Sequence, residues 1–398
     1  MSVRLQTILL TIWLLAEGCV GLGGTAMART ADSSTTDLLR KPGLKILHIG
    51  NSFTFDAVSY LSLILNGTGA DVSDMCIYRT MRPGASFKEW YDIYNDCDSV
   101  VDYQIEKVCG GINADIEMGT GAKRDGSLFR KALNDEQWDI IFVQPSSTYS
   151  PYYDQWTGYG AGGYLNALLA LLKNLQPNAV IGMMLVHSSA SFYEGNAEKS
   201  SLERWRLNVQ SVDRFCSDYG VSLVVPYGTA VQNMRASSLN NDMDLTADGL
   251  HCEYVLTRYT ASCCYYQSVL APRTGISITT DKTRINKDLL TVDSSMISVD
   301  DDTAPLAQKA AVMAVEDWHS CKNPGAYEGS GDETASADVN GDGVTDVADI
   351  ASVISVMAGE SGIANPLQQS RADVNGDGMI DVADIATIIS IMAGGGDI

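Results

Sequence analysis

The sequence has little positive charge and little histidine. Its 398 residues include 27 lysines and arginines against 49 aspartates and glutamates, and the formal net charge at pH 7 is −22. No stretch gathers basic side chains into a stripe that would meet phosphates, so the composition argues against nucleic-acid binding. Only four histidines are present, which leaves few candidates for a general base that works at neutral pH.

The sequence also lacks an apolar run long enough to span a bilayer, which takes about 20 residues. The apolar run Ile8–Leu15 follows Arg4 and precedes the small-x-small stretch Ala26-Met27-Ala28. These parts are typical of a secretory signal peptide, so we expect residues 1–28 to be removed on export. A rival processing site at Cys19 would attach a lipid, but the glutamate two positions before it fits a lipoprotein signal poorly.

Cysteine spacing that would indicate a zinc site is absent. Removal of the signal leaves eight cysteines: Cys76, Cys97, Cys109, Cys216, Cys252, Cys263, Cys264 and Cys321. An even number permits disulfides in an exported chain, although the pairing cannot be deduced from sequence. The adjacent Cys263 and Cys264 lie in a helical pattern and point in different directions, so we do not expect them to pair with each other.

Two nearly identical acidic segments, 337–359 and 372–394, end the chain and match at 18 of 23 positions. Each begins with oxygen-bearing side chains at loop positions 1, 3, 5, 9 and 12, a glycine at position 6, and a backbone carbonyl at position 7. This pattern predicts one structural Ca²⁺ per loop. The predicted ligands are Asp338, Asn340, Asp342, Val344, Asp346 and Asp349 in the first loop, and Asp373, Asn375, Asp377, Met379, Asp381 and Asp384 in the second.

The two loops resemble those of type I dockerins, because a helical pattern follows each loop and position 12 is aspartate. The resemblance implies a small all-α domain over residues 337–398 that binds a cohesin domain of an extracellular bacterial assembly. Loop positions 10 and 11, which help dockerins to choose the partner, are Val347-Ala348 and Val382-Ala383. The identical pairs suggest binding in two orientations related by a half turn. The Gly/Ser/acid-rich residues 323–336 are expected to form a linker.

Residues 41–322 alternate between apolar strand-like runs and helical patterns, after an expected N-terminal linker at 29–40. The strand-like runs are 44–49, 139–143, 180–186 and 221–225, and the helical patterns are 164–175, 202–219, 255–270 and 305–318. Continuous apolar strands separated by helices predict an α/β fold with a three-layer, doubly wound parallel sheet.

Functional side chains follow several of these strands. The first strand leads directly into Gly50-Asn51-Ser52-Phe53-Thr54, and Gln144 and His187 follow later strands. Asp248-Gly249-Leu250-His251 precedes a long helical pattern. In a parallel sheet, the carboxyl ends of the strands share one edge, where ligands bind. Serine, histidine and an acid are the parts that a hydroxyl nucleophile requires.

The GNSFT and DGxH motifs, in this order, resemble those of SGNH (GDSL-like) hydrolases over most of residues 44–270. The resemblance implies that Ser52 is the nucleophile, His251 the general base and Asp248 the acid that orients the imidazole, with no catalytic cofactor. It also implies an oxyanion hole formed by the backbone N–H of Ser52, Gly84 and a third donor. The family usually has asparagine as the third donor, and the matching residue here is Gln144.

The expected activity is that of an extracellular, secreted or cell-surface esterase that removes acetyl or similar acyl groups from polysaccharides. Candidate substrate contacts are His187, Tyr152 and Trp156, although loop packing is an equal explanation for the two aromatic residues. Three alternatives remain open: a lipase or lysophospholipase that uses the same triad, a non-catalytic glycan-binding protein, and a structural assembly component.

Overall fold

The structure is a computed structural model. It describes residues 33–95, 103–116, 118–121, 127–193, 199–289, 296–325, 337, 339–340, 345–358, 371–375 and 379–393. The expected signal peptide at 1–28 lies outside these residues, as does the linker prediction for 326–336. No helix in the described ranges is both long and apolar enough to cross a bilayer.

The N-terminal segment differs from the linker predicted at 29–40. Helix α1 (Ser33–Leu39) occupies most of it. Leu39 is buried in the main core, and Arg40 Nε donates to the backbone oxygen of Pro272 at 2.8 Å. The linker prediction is therefore wrong for this helix, because contacts with residues more than two hundred positions away order the segment.

A single sheet of seven strands forms the centre of the described chain. The strands are β1 (Lys45–Ile49), β2 (Cys76–Met81), β3 (Tyr103–Gly110), β4 (Gly119–Gly121), β5 (Ile140–Val143), β6 (Val180–Met184) and β7 (Val224–Val225). Their order across the sheet is β4-β3-β2-β1-β5-β6-β7. Strands β2, β1, β5, β6 and β7 pair in parallel, which confirms the predicted sheet, whereas β3 pairs antiparallel with β2 and β4.

Helices cover both faces of the sheet. They are α2 (Ser52–Val58), α3 (Leu61–Thr68), α4 (Phe87–Asn95), α5 (Ser127–Asn134), α6 (Tyr153–Thr157), α7 (Leu165–Leu175), α8 (Ser201–Tyr219), α9 (Tyr227–Arg235), α10 (Leu256–Tyr265), α11 (Ala271–Thr274) and α12 (Thr303–Glu316). A π-helical turn, Tyr266–Leu270, joins α10 to α11. The predicted helices at 164–175, 202–219 and 305–318 are present within two residues at each end.

The three layers follow from the alternation of side chains along buried strands. Ile46 and Phe142 point to the face covered by α2, α3, α9, α10 and α12, and belong to one apolar cluster. Leu47 and Val143 point to the other face, which is covered by α4 to α8, and belong to a second cluster. Burial on both faces explains why these strands read as continuous apolar runs.

The strand order reverses at β1, which determines where the site lies. The chain leaves β1 towards β2 on one side and returns later to β5 on the other side. The two connections therefore diverge at the carboxyl ends of β1 and β5, where open α/β sheets form a ligand crevice. Ser52 follows β1 and Gln144 follows β5, so both reach this crevice.

The C-terminal segment forms two matching helices, α13 (Val347–Met357) and α14 (Val382–Met392). Its small core includes Val353 and Ile388, one from each helix. The paired helices agree with the predicted all-α domain.

All seven cysteines in the described ranges are free thiols, and they include the adjacent Cys263 and Cys264. Cys97 lies outside the described residues.

Candidate active site

The turn after β1 places Ser52 in the first turn of α2. Asn51 caps this helix, since its side-chain oxygen accepts the Phe53 N–H at 2.9 Å. A Cβ at Gly50 would lie 2.0 Å from Thr54 Oγ1 and 3.0 Å from Gln144 Oε1, so the turn requires glycine. The Ser52 N–H belongs to the first helical turn, where no carbonyl of the helix is available to accept it.

Ser52, His251 and Asp248 form a continuous chain of hydrogen bonds. The Ser52 hydroxyl lies 3.0 Å from Nε2 of His251, and Nδ1 of His251 lies 2.8 Å from Oδ2 of Asp248. Ser52 and His251 are 199 positions apart in the chain, so the fold alone brings them together. In the neutral ring with the proton on Nδ1, Nε2 is free to accept the serine proton.

Asp248 holds both the imidazole and the backbone of its own loop. Its second oxygen, Oδ1, accepts the N–H groups of Leu250 at 2.9 Å and His251 at 2.8 Å. Burial alone would raise the pKa of the Asp248 carboxyl, but hydrogen bonds from the backbone and imidazole of His251 hold the pKa below its usual range. The group is therefore a carboxylate at neutral pH and favours the Nδ1–H tautomer of His251.

Gly84 lies in a tight turn that is bonded to the residue before Ser52. The Ala85 N–H donates to the Arg82 carbonyl at 3.1 Å across this turn, and Gly84 has a φ of 68°. Proline followed by a glycine of positive φ is the signature of a type II turn. Asn51 Nδ2 donates to the Ala85 carbonyl at 3.0 Å, which ties the turn to the residue before Ser52.

Gln144 is buried beneath the turn that contains Ser52 instead of facing solvent. Its Nε2 donates to Asn51 Oδ1 at 2.6 Å and approaches the Pro145 carbonyl at 3.3 Å, and its Oε1 accepts the Thr54 hydroxyl. Both amide hydrogens thus have partners in this structure. Gln144 therefore holds Asn51 and Thr54 in place. Its amide could donate to an oxyanion only if it gave up a bond to Asn51 or Pro145.

The candidate substrate contacts occupy three different environments. His187 is buried behind the triad, and Trp156 is fully buried with its Nε1 donating to the Tyr149 carbonyl at 2.7 Å. Neither side chain reaches the surface, so the structure gives no support to their predicted substrate contacts. Tyr152 is half-buried and lines a surface cavity of about 420 Å³ together with Arg214 and other residues of α8.

Asp56 is a neighbour of the triad that the sequence did not reveal. It is fully buried on α2, one turn after Ser52, and its oxygens accept the Cys252 N–H at 3.1 Å and Arg258 Nε at 2.8 Å. Burial raises its pKa to about 6, against the opposing charge of Arg258. A carboxylate four residues after Ser52, between Phe55 and Ala57, was the signal available in the sequence.

Asp56, His187 and Cys252 also form a group of potential metal ligands, with atoms within 4.8 Å of one another. Arg258 is already the charge partner of Asp56, and burial raises the pKa of the Cys252 thiol well above its usual range. A cation beside the guanidinium would be repelled, and the thiol would have to ionise first. These groups fit a hydrogen-bonded cluster better than a metal centre.

The described parts of the two calcium-loop repeats have the same local structure. Asp349 and Asp384, at position 12, are buried and accept the backbone N–H groups of Asn340 and Asn375, respectively, at 3.0 and 3.1 Å. Asp346 and Asp381, at position 9, cap α13 and α14. Of the other predicted ligands, Asp373 and Met379 are described, whereas Asp338, Asp342, Val344 and Asp377 lie outside the described residues.

Comparison with protein families identifies both parts of the chain. The family profile of a domain of unknown function, DUF4886, matches residues 45–282. The chain belongs to the DUF4886 family. The profile of the dockerin type I domain matches residues 336–392, which confirms the dockerin identified from the repeats.

Solved structures include a relative of this DUF4886 protein. A crystal structure of a DUF4886 family protein from Bacteroides uniformis shares 25% identity, covers 70% of this chain and 97% of its own, and superposes with a TM-score of 0.54. A protein from Slackia heliotrinireducens, described as a candidate SGNH hydrolase, shares 16% identity, covers 58% of this chain and 99% of its own, and has a TM-score of 0.34. The second likeness is too distant to bear on the site. No curated protein matches the chain.

The dockerin domain indicates which metal ion, which partner and which location apply to this DUF4886 protein. Dockerin type I domains generally bind calcium, bind cohesin domains and occur on extracellular proteins. A cohesin domain is therefore the partner that the C-terminal domain implies.

Proposed function

We propose that this protein is a secreted serine esterase that removes acetyl or similar acyl groups from polysaccharides. The observation that carries the proposal is the hydrogen-bond chain from Ser52 through His251 to Asp248, with distances of 3.0 and 2.8 Å. These hydrogen bonds lie at the carboxyl end of β1, where the strand order reverses. Nucleophile, base and orienting acid at hydrogen-bond distance are the arrangement by which a serine hydroxyl attacks a carbonyl.

In the proposed reaction, Ser52 Oγ attacks the ester carbonyl as its proton moves to Nε2 of His251. The carbonyl oxygen becomes an oxyanion, for which the N–H groups of Ser52 and Gly84 are the proposed donors. The intermediate collapses to an acyl-serine, and His251 returns the proton to the departing alcohol. Water then attacks the acyl-serine by the same steps in reverse and releases the acid, with Asp248 stabilising the imidazolium each time. The reaction needs no catalytic cofactor.

The proposed substrate class follows from the dockerin, since a cohesin-bound enzyme acts where other proteins of an extracellular assembly act. Tyr152 and the cavity that it shares with residues of α8 are a candidate glycan contact near the loop that follows β5. Tyrosine rings are suited to such contacts because sugar rings present apolar faces to aromatic side chains.

Two Ca²⁺ ions are proposed for the dockerin, one in each loop. The two repeats expose equivalent apolar side chains to a similar degree, Val347 and Val382 at 69% and 70%, and Ile354 and Ile389 at 51% and 52%. This equivalence supports the proposal that cohesin binds in two orientations. If substitution of Val347-Ala348 alone abolished binding, the two-orientation proposal would be wrong.

The catalytic proposal is tested with the Ser52→Ala variant on aryl acetates, acetylated polysaccharides and long-chain esters. Ser59→Ala is the matched control, because Ser59 caps the C-terminal end of the same helix and its hydroxyl donates to the Phe55 carbonyl at 2.6 Å. We expect the native protein and the control to release acetate and Ser52→Ala to release none. Activity that survives Ser52→Ala, or a native protein without esterase activity, would refute the mechanism. A preference for long-chain esters would favour the lipase alternative.

A further inference from the structure

The two residues that flank His251 are each held by a buried side chain from another part of the fold. His187 Nε2 lies 2.8 Å from the Leu250 carbonyl, on one side of the base. Asp56 Oδ2 accepts the Cys252 N–H at 3.1 Å, on the other side. We infer that Asp56 and His187 are positioning residues that together hold His251 against Ser52. This inference deepens the proposed function and rests on it.

Asp56 connects the base directly to the helix that carries the nucleophile. Ser52 and Asp56 are four positions apart on α2, so their side chains lie on the same helix face. Asp56 is fully buried, and Arg258 fixes its second oxygen with a bond of 2.8 Å. The distance between Ser52 and the His251 loop therefore depends on one helical turn and one hydrogen bond.

His187 completes the second half of the arrangement. Burial lowers its pKa to about 3, so the ring is neutral at physiological pH and carries one proton. The Leu250 carbonyl can only accept, which places this proton on Nε2. The ring also packs on Phe53, the residue after the nucleophile, with 4.2 Å between ring centroids. His187 thus contacts both the base loop and the nucleophile turn.

The triad needs such support because its acid and base lie on the same short loop. Asp248 fixes the orientation of His251 within the loop, but its hydrogen bonds to the described residues all lie within residues 248–251 and do not fix the loop relative to Ser52. Other described contacts to the loop include the Ala190 N–H bond to the Gly249 carbonyl at 2.7 Å and the edge-on packing of Phe53 against the His251 ring, with 5.8 Å between centroids. Displacement of a reacting group by about 1 Å costs on the order of 100-fold in rate.

The test compares four variants of the full chain. His187→Leu removes the donor to Leu250, and His187→Gln restores an N–H donor at the same place. Asp56→Asn removes the negative charge and weakens the bonds that Asp56 accepts from the Cys252 N–H and from Arg258. Glu253→Gln is the matched control, since Glu253 is a buried acid next to Cys252 whose oxygens accept N–H groups of Val255, Thr257 and Ile297.

We expect His187→Leu and Asp56→Asn to lower kcat by about 10- to 100-fold while KM changes by less than about threefold, because the substrate site is untouched. His187→Gln should recover most of the lost kcat, and Glu253→Gln should keep native kcat. A merely structural role for His187 would lower the rate through unfolding and would not be rescued by glutamine. Native kcat in folded His187→Leu would overturn the inference.

A second readout does not depend on esterase activity. The imidazole resonances of His251, assigned with a His251→Gln variant, report the bonds of the ring to Asp248 and Ser52. We expect His187→Leu and Asp56→Asn to shift these resonances and Glu253→Gln to leave them unchanged. Unchanged resonances in the first two variants would overturn the positioning inference, even if the native protein proved to have no esterase activity. Lack of native activity with shifted resonances would refute the proposed function alone.

Discussion

The sharpest consequence of the site geometry concerns Asp248→Asn. In the native loop, Oδ1 of Asp248 accepts two backbone N–H groups and Oδ2 accepts the Nδ1 proton of His251. Asparagine can keep the two backbone bonds through its oxygen. Its amide group then faces Nδ1 of His251, which must lose its proton to accept a bond. The proton moves to Nε2, where it blocks the base from accepting the Ser52 proton.

The size of the effect follows from this change of tautomer. Loss of the orienting acid in a serine triad costs up to about 10⁴-fold in kcat, or about 5 kcal/mol. The Asp248 side chain is 50% exposed, so water can partly substitute for it and the ring can partly reorient. We therefore expect a loss of kcat of about 10³-fold, or about 4 kcal/mol, with little change in KM.

The assay is aryl acetate hydrolysis at saturating substrate, combined with urea unfolding of each variant. Asp248→Ala is the informative comparison, because it removes the backbone acceptors as well as the imidazole partner. It should match the kcat loss of Asp248→Asn and also lower the free energy of unfolding by about 1 kcal/mol. If folded Asp248→Asn kept more than a tenth of native kcat, the assigned role of Asp248 would be refuted.

Three further predictions follow from other parts of the structure. Gly50→Ala should lower activity and destabilise the fold by about 1–3 kcal/mol in urea unfolding, because the new methyl group meets Thr54, whereas Gly160→Ala, with open space around it, should change neither. Calorimetric titration should find two Ca²⁺ sites in the native chain and one in Asp384→Ala; two sites in the variant would contradict the assigned ligand. Stability should fall as pH drops from about 6.5 towards 3, because burial lowers the pKa of both His48 and His187 to about 3, so that these two groups bind more protons in the unfolded chain. The pKa of Asp56, which burial raises to about 6, offsets part of this loss but does not outweigh two histidines. Urea unfolding at pH 7 and 5 measures this loss, and the same midpoint at both values would contradict it.

The sequence predicted β1, β5, β6 and β7 because these strands lie in apolar runs, but it missed β2, which is buried and parallel yet contains Arg79 and Thr80. Strand β5 is buried throughout, and its run of apolar residues needs no partner to be recognised. Strand β3, near the sheet edge, alternates between buried and half-buried residues and has few consecutive apolar positions. The antiparallel edge was therefore missed, since partial exposure removes the signal on which the prediction depended.

The grouping of Ser52, His251 and Asp248 could be predicted from the sequence, but the residues that surround it could not. Ser52 and His251 lie in short motifs whose residue types are chemically informative by themselves. Asp56 and Arg258 are 202 positions apart, and only the folded chain shows that they form a pair beside the triad. His187 was noticed as a strand-end residue, but burial determines what it contacts, and burial is a property of packing rather than of local sequence.

Gln144 differs from the expected asparagine by one carbon, and this difference determines what its amide contacts. An asparagine after β5 would end one carbon closer to the backbone, whereas the longer glutamine reaches Asn51 Oδ1 and the Thr54 hydroxyl. These bonds fill the space beneath Gly50, where even a methyl group would be crowded. The amide that the sequence offered as an oxyanion donor therefore stabilises the turn that presents Ser52. If the proposed reaction occurs, the N–H groups of Ser52 and Gly84 must provide the larger part of the stabilisation of the oxyanion, because Gln144 can contribute only by releasing its hold on the nucleophile turn.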